Sequence, residues 1–176
     1  MLIRAATEED ANGIWAVIEP TIRAGETYAL PRDMTKDEAL AYWMGPDRST
    51  FVAMDDENIL GTYYLRPNQA GGGDHIANCG YITASEARGR GVARRMCNHS
   101  LEYARSRSFR GMQFNFVVGT NEPAIRLWTS LGFEVVVHPP AAMRTSPHQA
   151  GVTMQKSARE RGGLAGAAIR KAALTL

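Results

Sequence analysis

A short basic segment containing two glycines stands between a predicted strand and a predicted helix, and its residue types suit anion binding. It reads Arg88-Gly89-Arg90-Gly91-Val92-Ala93, after the apolar and β-branched run 76–83 and at the start of a helically spaced apolar pattern. Glycine lets the backbone turn tightly and approach a ligand without a Cβ in the way. Amides at a helix start have no intrahelical acceptor, and the helix dipole makes that end positive. We therefore predict a phosphate site at residues 88–93.

Two common phosphate-binding signatures are not satisfied by this segment. A Walker loop needs Lys-Ser/Thr after its last glycine, where this chain has Val92-Ala93. A dinucleotide fingerprint needs three spaced glycines and a later acidic residue, but Glu102 lies within the predicted helix itself. The segment satisfies the pattern Arg/Gln-x-x-Gly-x-Gly/Ala instead. Considered alone, a solvated basic helix start remains the alternative interpretation.

Two asparagines interrupt apolar strand patterns that are neighbours in the predicted sheet. Asn78 stands in the run 76–83, and Asn115 stands in the run 112–118. A buried amide costs about 1–3 kcal/mol unless it is paired. Each asparagine could satisfy a bulge or an open strand edge, or both could face a shared ligand site. We favour the shared site because two facing strands have the same anomaly.

A second segment, Asn121-Glu122-Pro123-Ala124-Ile125-Arg126-Leu127-Trp128-Thr129-Ser130-Leu131-Gly132-Phe133, follows the third predicted central strand. Asn121 can cap a helix, Pro123 suits its first turn and Gly132 can end it. Capping does not explain why this segment and the basic loop occur together in this order. In both, the chain resembles the GCN5-related N-acetyltransferase (GNAT) family, over roughly residues 3–156.

The resemblance implies an α/β (α+β) GNAT fold. This fold has a mixed, mostly antiparallel sheet of six to seven strands, splayed at the central strands, with helices on both faces. The cosubstrate would be acetyl-CoA, with its pantetheine arm between runs 76–83 and 112–118. We expect backbone groups of Ile82 and Thr83 and the Asn121 side chain to contact the arm. The amides of Gly89, Arg90, Gly91, Val92 and Ala93 would hold the pyrophosphate, with charge from Arg88, Arg90 or Arg94.

One position departs from the family pattern. Many relatives have a tyrosine where this chain has Trp128, and that tyrosine can protonate the departing thiolate. An indole N–H donates hydrogen bonds but is no general acid near neutral pH. We therefore interpret Trp128 as a wall or packing residue.

The acceptor is predicted from further resemblances. The stretches YYLRPN, HIANCGY and QFNFVV are similar to the yeast proline-analogue (azetidine-2-carboxylate) acetyltransferases. That similarity implies catalytic roles for Asn78 and Asn115 at the acetyl and acceptor sites. Glu26, Thr27 and Tyr28 stand where this family's substrate loops often lie, although a solvated loop carboxylate is the alternative for Glu26. A protein or peptide acetyltransferase and a non-catalytic acetyl-CoA sensor are the competing functions.

Composition sets further bounds on function. The chain has 176 residues, of which 44% are hydrophobic and 22% charged, and this length and composition suit one domain. Its net charge of +2 is too small to favour a general nucleic-acid or membrane binder. Its two cysteines form no metal-ligand spacing, so we expect no metal site and a reduced, cytoplasmic setting. We expect an acetyltransferase domain at 1–156 and a tail at 157–176 that can form a short helix. The family resemblance also makes a homodimer plausible.

The remaining elements follow from periodicity and turn residues. A first helix is predicted to end near Pro20, and a second begins near Thr35. Residues 66–74 are predicted to be a flexible loop, and residues 139–148 a second loop. Predicted strands cover residues 2–5, 50–54, 59–65, 76–83, 112–118, 133–138 and 151–155, and the later helices begin at Val92 and Glu122.

Overall fold

The computed structural model describes residues 1–137 and 151–158 as one seven-stranded sheet with four α-helices. The predicted loop at 139–148 and nearly all of the tail lie outside the described residues. The strands are β1 (Leu2–Ala5), β2 (Ser49–Asp55), β3 (Asn58–Pro67), β4 (Ile76–Thr83), β5 (Gly111–Val118), β6 (Glu134–Val137) and β7 (Gly151–Ser157). The helices are α1 (Ala11–Ala24), α2 (Lys36–Trp43), α3 (Val92–Ser106) and α4 (Glu122–Ser130).

The sheet is mixed and opens at its centre. Its strand order is β1-β2-β3-β4-β5-β7-β6, and β4 and β5 are the parallel pair among otherwise antiparallel neighbours. The β4–β5 pairing covers only Ile76 with Gly111 and Ala77 with Met112. Beyond these two pairs the strands diverge, so the predicted splay is confirmed.

The helices cover both faces of the sheet. The Trp43 indole of α2 donates to the Thr62 hydroxyl at 3.0 Å, whereas the hydroxyl of the next residue, Tyr63, is hydrogen-bonded to His99 Nδ1 of α3 at 2.6 Å. Successive strand residues point to opposite faces, so α2 and α3 lie on opposite sides. The largest fully buried side chains come from both sides and include Trp43, Tyr63, Phe133, Ile14, Ile18, Ile22, Met96, Met112 and Met154.

Helix α1 runs past Pro20, where it was predicted to end. Its buried stripe continues through Ile14, Ile18 and Ile22, which are 0%, 0% and 2% exposed, and burial of this stripe offsets the hydrogen bond that proline cannot make. The helix ends at Gly25 in the left-handed conformation (φ 64°). Strand β3 likewise extends beyond its predicted end, so Arg66 belongs to the strand and pairs with Asn78.

The segment joining β1 to α1 is stabilised by an ion pair. Arg4 donates two hydrogen bonds of 2.7 Å to the Asp10 carboxylate, and the Thr7 amide donates a third at 2.8 Å. Asp10 is 7% exposed. Hydrogen bonds from Arg4 lower the Asp10 pKa to about 2, because they favour the ionised carboxylate.

We predict that Asp10→Asn lowers the free energy of unfolding by about 1–3 kcal/mol at pH 7. Because the folded-state pKa lies below the ordinary value of 3.8, this contribution is present above that pH and fades as the pH falls toward 2. Urea denaturation from pH 7 to pH 2.5 measures the difference, with Asp33→Asn at an exposed site as control. A deficit that stayed constant across this range would contradict the ion-pair explanation.

Candidate functional site

A cavity of about 260 Å³ lies where β4 and β5 separate. Strands β3, β4 and β5, the loop after α1, and helices α2 and α4 all contribute to its wall. Its lining includes five of the predicted site residues, Thr27, Tyr28, Asn78, Asn115 and Asn121, together with Trp128. The fold therefore brings residues that are far apart in sequence to one concave surface.

Asn78 stands at the vertex of this opening. Its side-chain nitrogen donates to the Gln113 carbonyl at 2.9 Å, at the level where backbone pairing of β4 and β5 has just ended. The residue is 7% exposed and lines the cavity. One of its amide hydrogens is thus used to join the two strands, as the structural interpretation predicts. The second hydrogen and the amide oxygen make no hydrogen bond to the described residues.

Asn115 lies further along β5, beyond the level of Asn78, where the pairing of β5 with β7 is irregular. Its side-chain oxygen accepts a hydrogen bond from Gln113 Nε2 at 3.0 Å, and its backbone carbonyl accepts one from the Thr153 hydroxyl at 2.9 Å. The residue is exposed and lines the cavity. Its amide N–H groups are therefore available to a ligand.

The open edge of β4 presents alternate backbone groups to the cavity. The Ile82 carbonyl faces β3, since it lies 3.0 Å from where a Cβ on Gly61 would stand. The Tyr81 carbonyl faces the other way and accepts a hydrogen bond of 3.1 Å from the Tyr28 hydroxyl. By the same alternation the Thr83 backbone faces the open edge. Of the predicted pair, Thr83 is thus suited to hold an extended arm, whereas the Ile82 backbone is directed at β3.

The basic loop has the geometry expected of an anion site. Gly89 and Gly91 both have φ 76°, and a Cβ at either would meet no atom within 4 Å. The first helical bond of α3 runs from the Arg95 amide to the Gly91 carbonyl at 3.1 Å, so the amides of Val92 and Ala93 precede the hydrogen-bonded ladder. These helix-start amides, with open space beside the two glycines, suit the binding of a pyrophosphate.

The loop arginines differ in their surroundings. Arg90 pairs with Asp55 at 2.7 Å, and Arg94 donates to the Ser130 hydroxyl at 2.8 Å. Arg88 is exposed and makes no ion pair or side-chain hydrogen bond within residues 1–137 and 151–158. A phosphate would thus meet Arg88 directly, while Arg90 would have to share its charge with Asp55.

Helix α4 contributes Ala124 and Trp128 to the cavity wall, and its N-terminal cap contributes Asn121. The Asn121 side chain accepts a hydrogen bond from the Ala124 amide at 3.3 Å and thereby caps the helix, as predicted. Trp128 is 8% exposed, with its ring 5.2 Å from Tyr81 and 5.1 Å from Phe114, centroid to centroid. This packing agrees with the interpretation of Trp128 as a wall.

The loop after α1 contributes unevenly. Thr27 and Tyr28 line the cavity, and Tyr28 also packs edge-on against Trp43 at 5.6 Å. Burial raises the Tyr28 pKa well above its ordinary value, so its hydroxyl stays protonated and able to donate. Glu26 is exposed and is not among the residues that form the cavity wall.

Sequence analysis missed three lining residues on β3 and α2, namely Tyr42, Tyr64 and Arg66. Tyr64 lies directly across from Gly80, and a Cβ on Gly80 would fall 2.6 Å from the Tyr64 ring. A glycine inside a strand often marks such a close approach, and Gly80 was the available signal. Within the described ranges, no group of three metal-ligating side chains occurs, and no helix is long and apolar enough to cross a membrane.

Comparison with known proteins agrees with this geometry. Residues 8–133 match the model of the acetyltransferase (GNAT) family. The chain is 30% identical over 142 residues to N-acetyltransferase aca1 of Schizosaccharomyces pombe, covering 72% of this chain and 68% of that protein. A GCN5-related N-acetyltransferase structure from Kribbella flavida superposes with a TM-score of 0.84 at 37% identity, covering 89% of this chain and 97% of that one. The fold is also shared with yncA from Salmonella typhimurium, a putative acetyltransferase solved with its cofactor acetyl-CoA, at a TM-score of 0.82 and 19% identity, covering 94% and 98% of the two chains.

We predict that Gly91→Glu abolishes acetyl-CoA binding, because it places a side chain and a negative charge where the loop at 88–93 is expected to bind the pyrophosphate. Isothermal titration calorimetry measures the affinity. The matched control is Gly71→Glu, since Gly71 also has positive φ (60°) with nothing within 4 Å of its Cβ position. The control accounts for backbone strain in the left-handed region. Equal affinities of Gly91→Glu and wild type would show that residues 88–93 do not bind the pyrophosphate.

Proposed function

Since this chain belongs to the GNAT family of acetyltransferases, which use acetyl-CoA, we propose that it acetylates the amine or imine nitrogen of a small amino-acid-like compound. The observation that supports this acceptor class is the cavity of about 260 Å³ at the β4–β5 opening. Its volume is near the lower end for small-molecule sites. Asn78 and Asn115 both line this cavity.

The proposed reaction is direct attack in a ternary complex. The neutral acceptor nitrogen attacks the thioester carbonyl carbon, the C–S bond breaks, the nitrogen loses a proton and the departing thiolate gains one. Holding the two reactants together provides most of the acceleration. The free N–H of Asn78 donates to the acetyl carbonyl oxygen as negative charge develops on it, and Asn115 orients the acceptor.

The cavity walls support a small, partly apolar acceptor. Tyr28, Tyr42 and Tyr64 present aromatic surface on the side of β3 and α2, and Phe114 and Trp128 do so on the opposite side. A peptide acceptor would need an open groove instead. Trp128 supplies no ionisable group, so protonation of the thiolate falls to solvent or to another donor.

We expect purified protein to release free thiol from acetyl-CoA only in the presence of a suitable acceptor, with a product heavier by one acetyl group. The panel contains azetidine-2-carboxylate, proline, phosphinothricin, a polyamine and a basic peptide, read by thiol assay and mass spectrometry. Product from the imino or amino acids supports the proposal. If only the peptide were acetylated, the acceptor would be a peptide and not a small amino-acid-like compound. Binding of acetyl-CoA with no product from any acceptor would favour the sensor function.

We further predict that Asn78→Ala lowers kcat about 10²-fold, the loss typical of one oxyanion donor, while acetyl-CoA affinity changes much less. The residue also joins β4 to β5, so thermal unfolding must be measured in parallel. Asn98→Ala is the control, because it removes an exposed amide on α3 that does not line the cavity. An unchanged kcat would leave Asn78 with a purely structural role.

A further inference from the structure

Two arginines lie close together beside Asn78. Arg66 of β3 pairs directly with Asn78 of β4, so these two side chains project from the same face of the sheet. Arg48 immediately precedes β2, whose first residue, Ser49, pairs with Leu65 next to Arg66. Two like charges held this close repel each other.

The two arginines share a single carboxylate. Asp47 accepts from Arg48 Nε at 3.2 Å and from Arg66 Nη1 at 3.3 Å. Two positive charges thus face one negative charge.

Both arginines also have buried donors without acceptors. Arg48 Nη1 and Arg66 Nε are buried and have no hydrogen-bond partner within the described parts of the chain. The Arg48 side chain is 8% exposed, with its guanidinium 4.0 Å from the centroid of the Tyr42 ring and 4.7 Å from that of Tyr64. Buried donors are almost always paired in native proteins, so these two point to a ligand.

The position of Arg66 indicates which ligand. Among the described residues that line the cavity, Arg66 is the only charged one. It lies beside Asn78, while Arg48 lies behind the two tyrosines that form that wall. A guanidinium presents a planar set of donors that matches a carboxylate.

We propose that Arg66 binds the carboxylate of the acceptor, with Arg48 adding positive charge behind the tyrosine wall. This inference rests on the proposed acetyltransferase function and narrows its acceptor to an α-amino or α-imino acid. With its carboxylate at Arg66, the acceptor has its nitrogen one carbon away, directed toward Asn78 and the opening between β4 and β5. Simple amines lack the group that Arg66 would recognise.

The test uses acceptors that differ only in the carboxylate, namely azetidine-2-carboxylate against azetidine and proline against pyrrolidine. We expect wild-type protein to prefer each acid. Arg66→Met should raise the KM of the acids about 10- to 100-fold, and the loss should be much smaller for the amines. Arg66→Lys should have a smaller effect on the KM of the acids than Arg66→Met, because lysine keeps the positive charge but lacks the planar set of donors of a guanidinium. Arg105→Met, an exposed site on α3, controls for net charge.

Binding measurements separate failure of this inference from failure of the proposed function. Calorimetry of azetidine-2-carboxylate with protein and CoA needs no turnover. Binding to wild type that is lost in Arg66→Met supports the carboxylate site even if no product forms, in which case only the proposed reaction fails. Three results would each overturn the inference. The KM of the amines could rise in Arg66→Met as much as that of the acids. Wild-type protein could use acids and amines equally well, or Arg66→Met could bind azetidine-2-carboxylate as tightly as wild type.

Discussion

The short parallel pairing of β4 and β5 is the constraint on which the rest of the site depends. Two residue pairs join these strands, and the Asn78 amide adds one more link to the Gln113 carbonyl at 2.9 Å. Beyond that point the strands separate, leaving backbone groups on the β4 edge without a strand partner. Unpaired backbone groups next to a cavity favour a ligand that offers its own amides. The extended arm of acetyl-CoA has that chemistry.

Both ends of this opening are fixed by elements that form for local reasons. The basic loop holds two left-handed glycines before α3, and Asn121 caps α4 at the far wall. The buried rings of Trp128, Phe114 and Phe133 hold α4 against β5, with the latter two stacked at 4.4 Å. Contacts within the protein therefore set the positions of the loop at 88–93 and of the cavity wall, and such preorganisation lowers the entropic cost of binding a ligand.

Much of this arrangement could be predicted from the sequence, because it depends on local signals. Glycine and arginine spacing identified the loop at 88–93, and apolar periodicity identified all seven strands. The features that were missed depend on tertiary contacts. Pro20 reads as a helix end, but burial of Ile22 extends α1 beyond it. Arg66 reads as the start of a polar loop, and only its pairing with Asn78 places it in the wall of the cavity. The choice between Ile82 and Thr83 depends on strand alternation relative to β3, which residue types alone do not reveal.

The arginine pair and Asn78 illustrate how stability and function are balanced at one level of the sheet. Two cations and an amide lie together here, Arg66 and Asn78 on paired strands and Arg48 just before β2, where apolar residues would pack at lower cost. Asp47 compensates one charge and the tyrosine rings partly compensate the other through cation–π contact. Arg48 Nη1 and Arg66 Nε remain without an acceptor among the described residues. If the proposed acceptor carboxylate binds at Arg66, it supplies the negative charge that this cluster lacks. The residues that are costly in the free protein would then favour an acceptor whose nitrogen is directed toward the acetyl group.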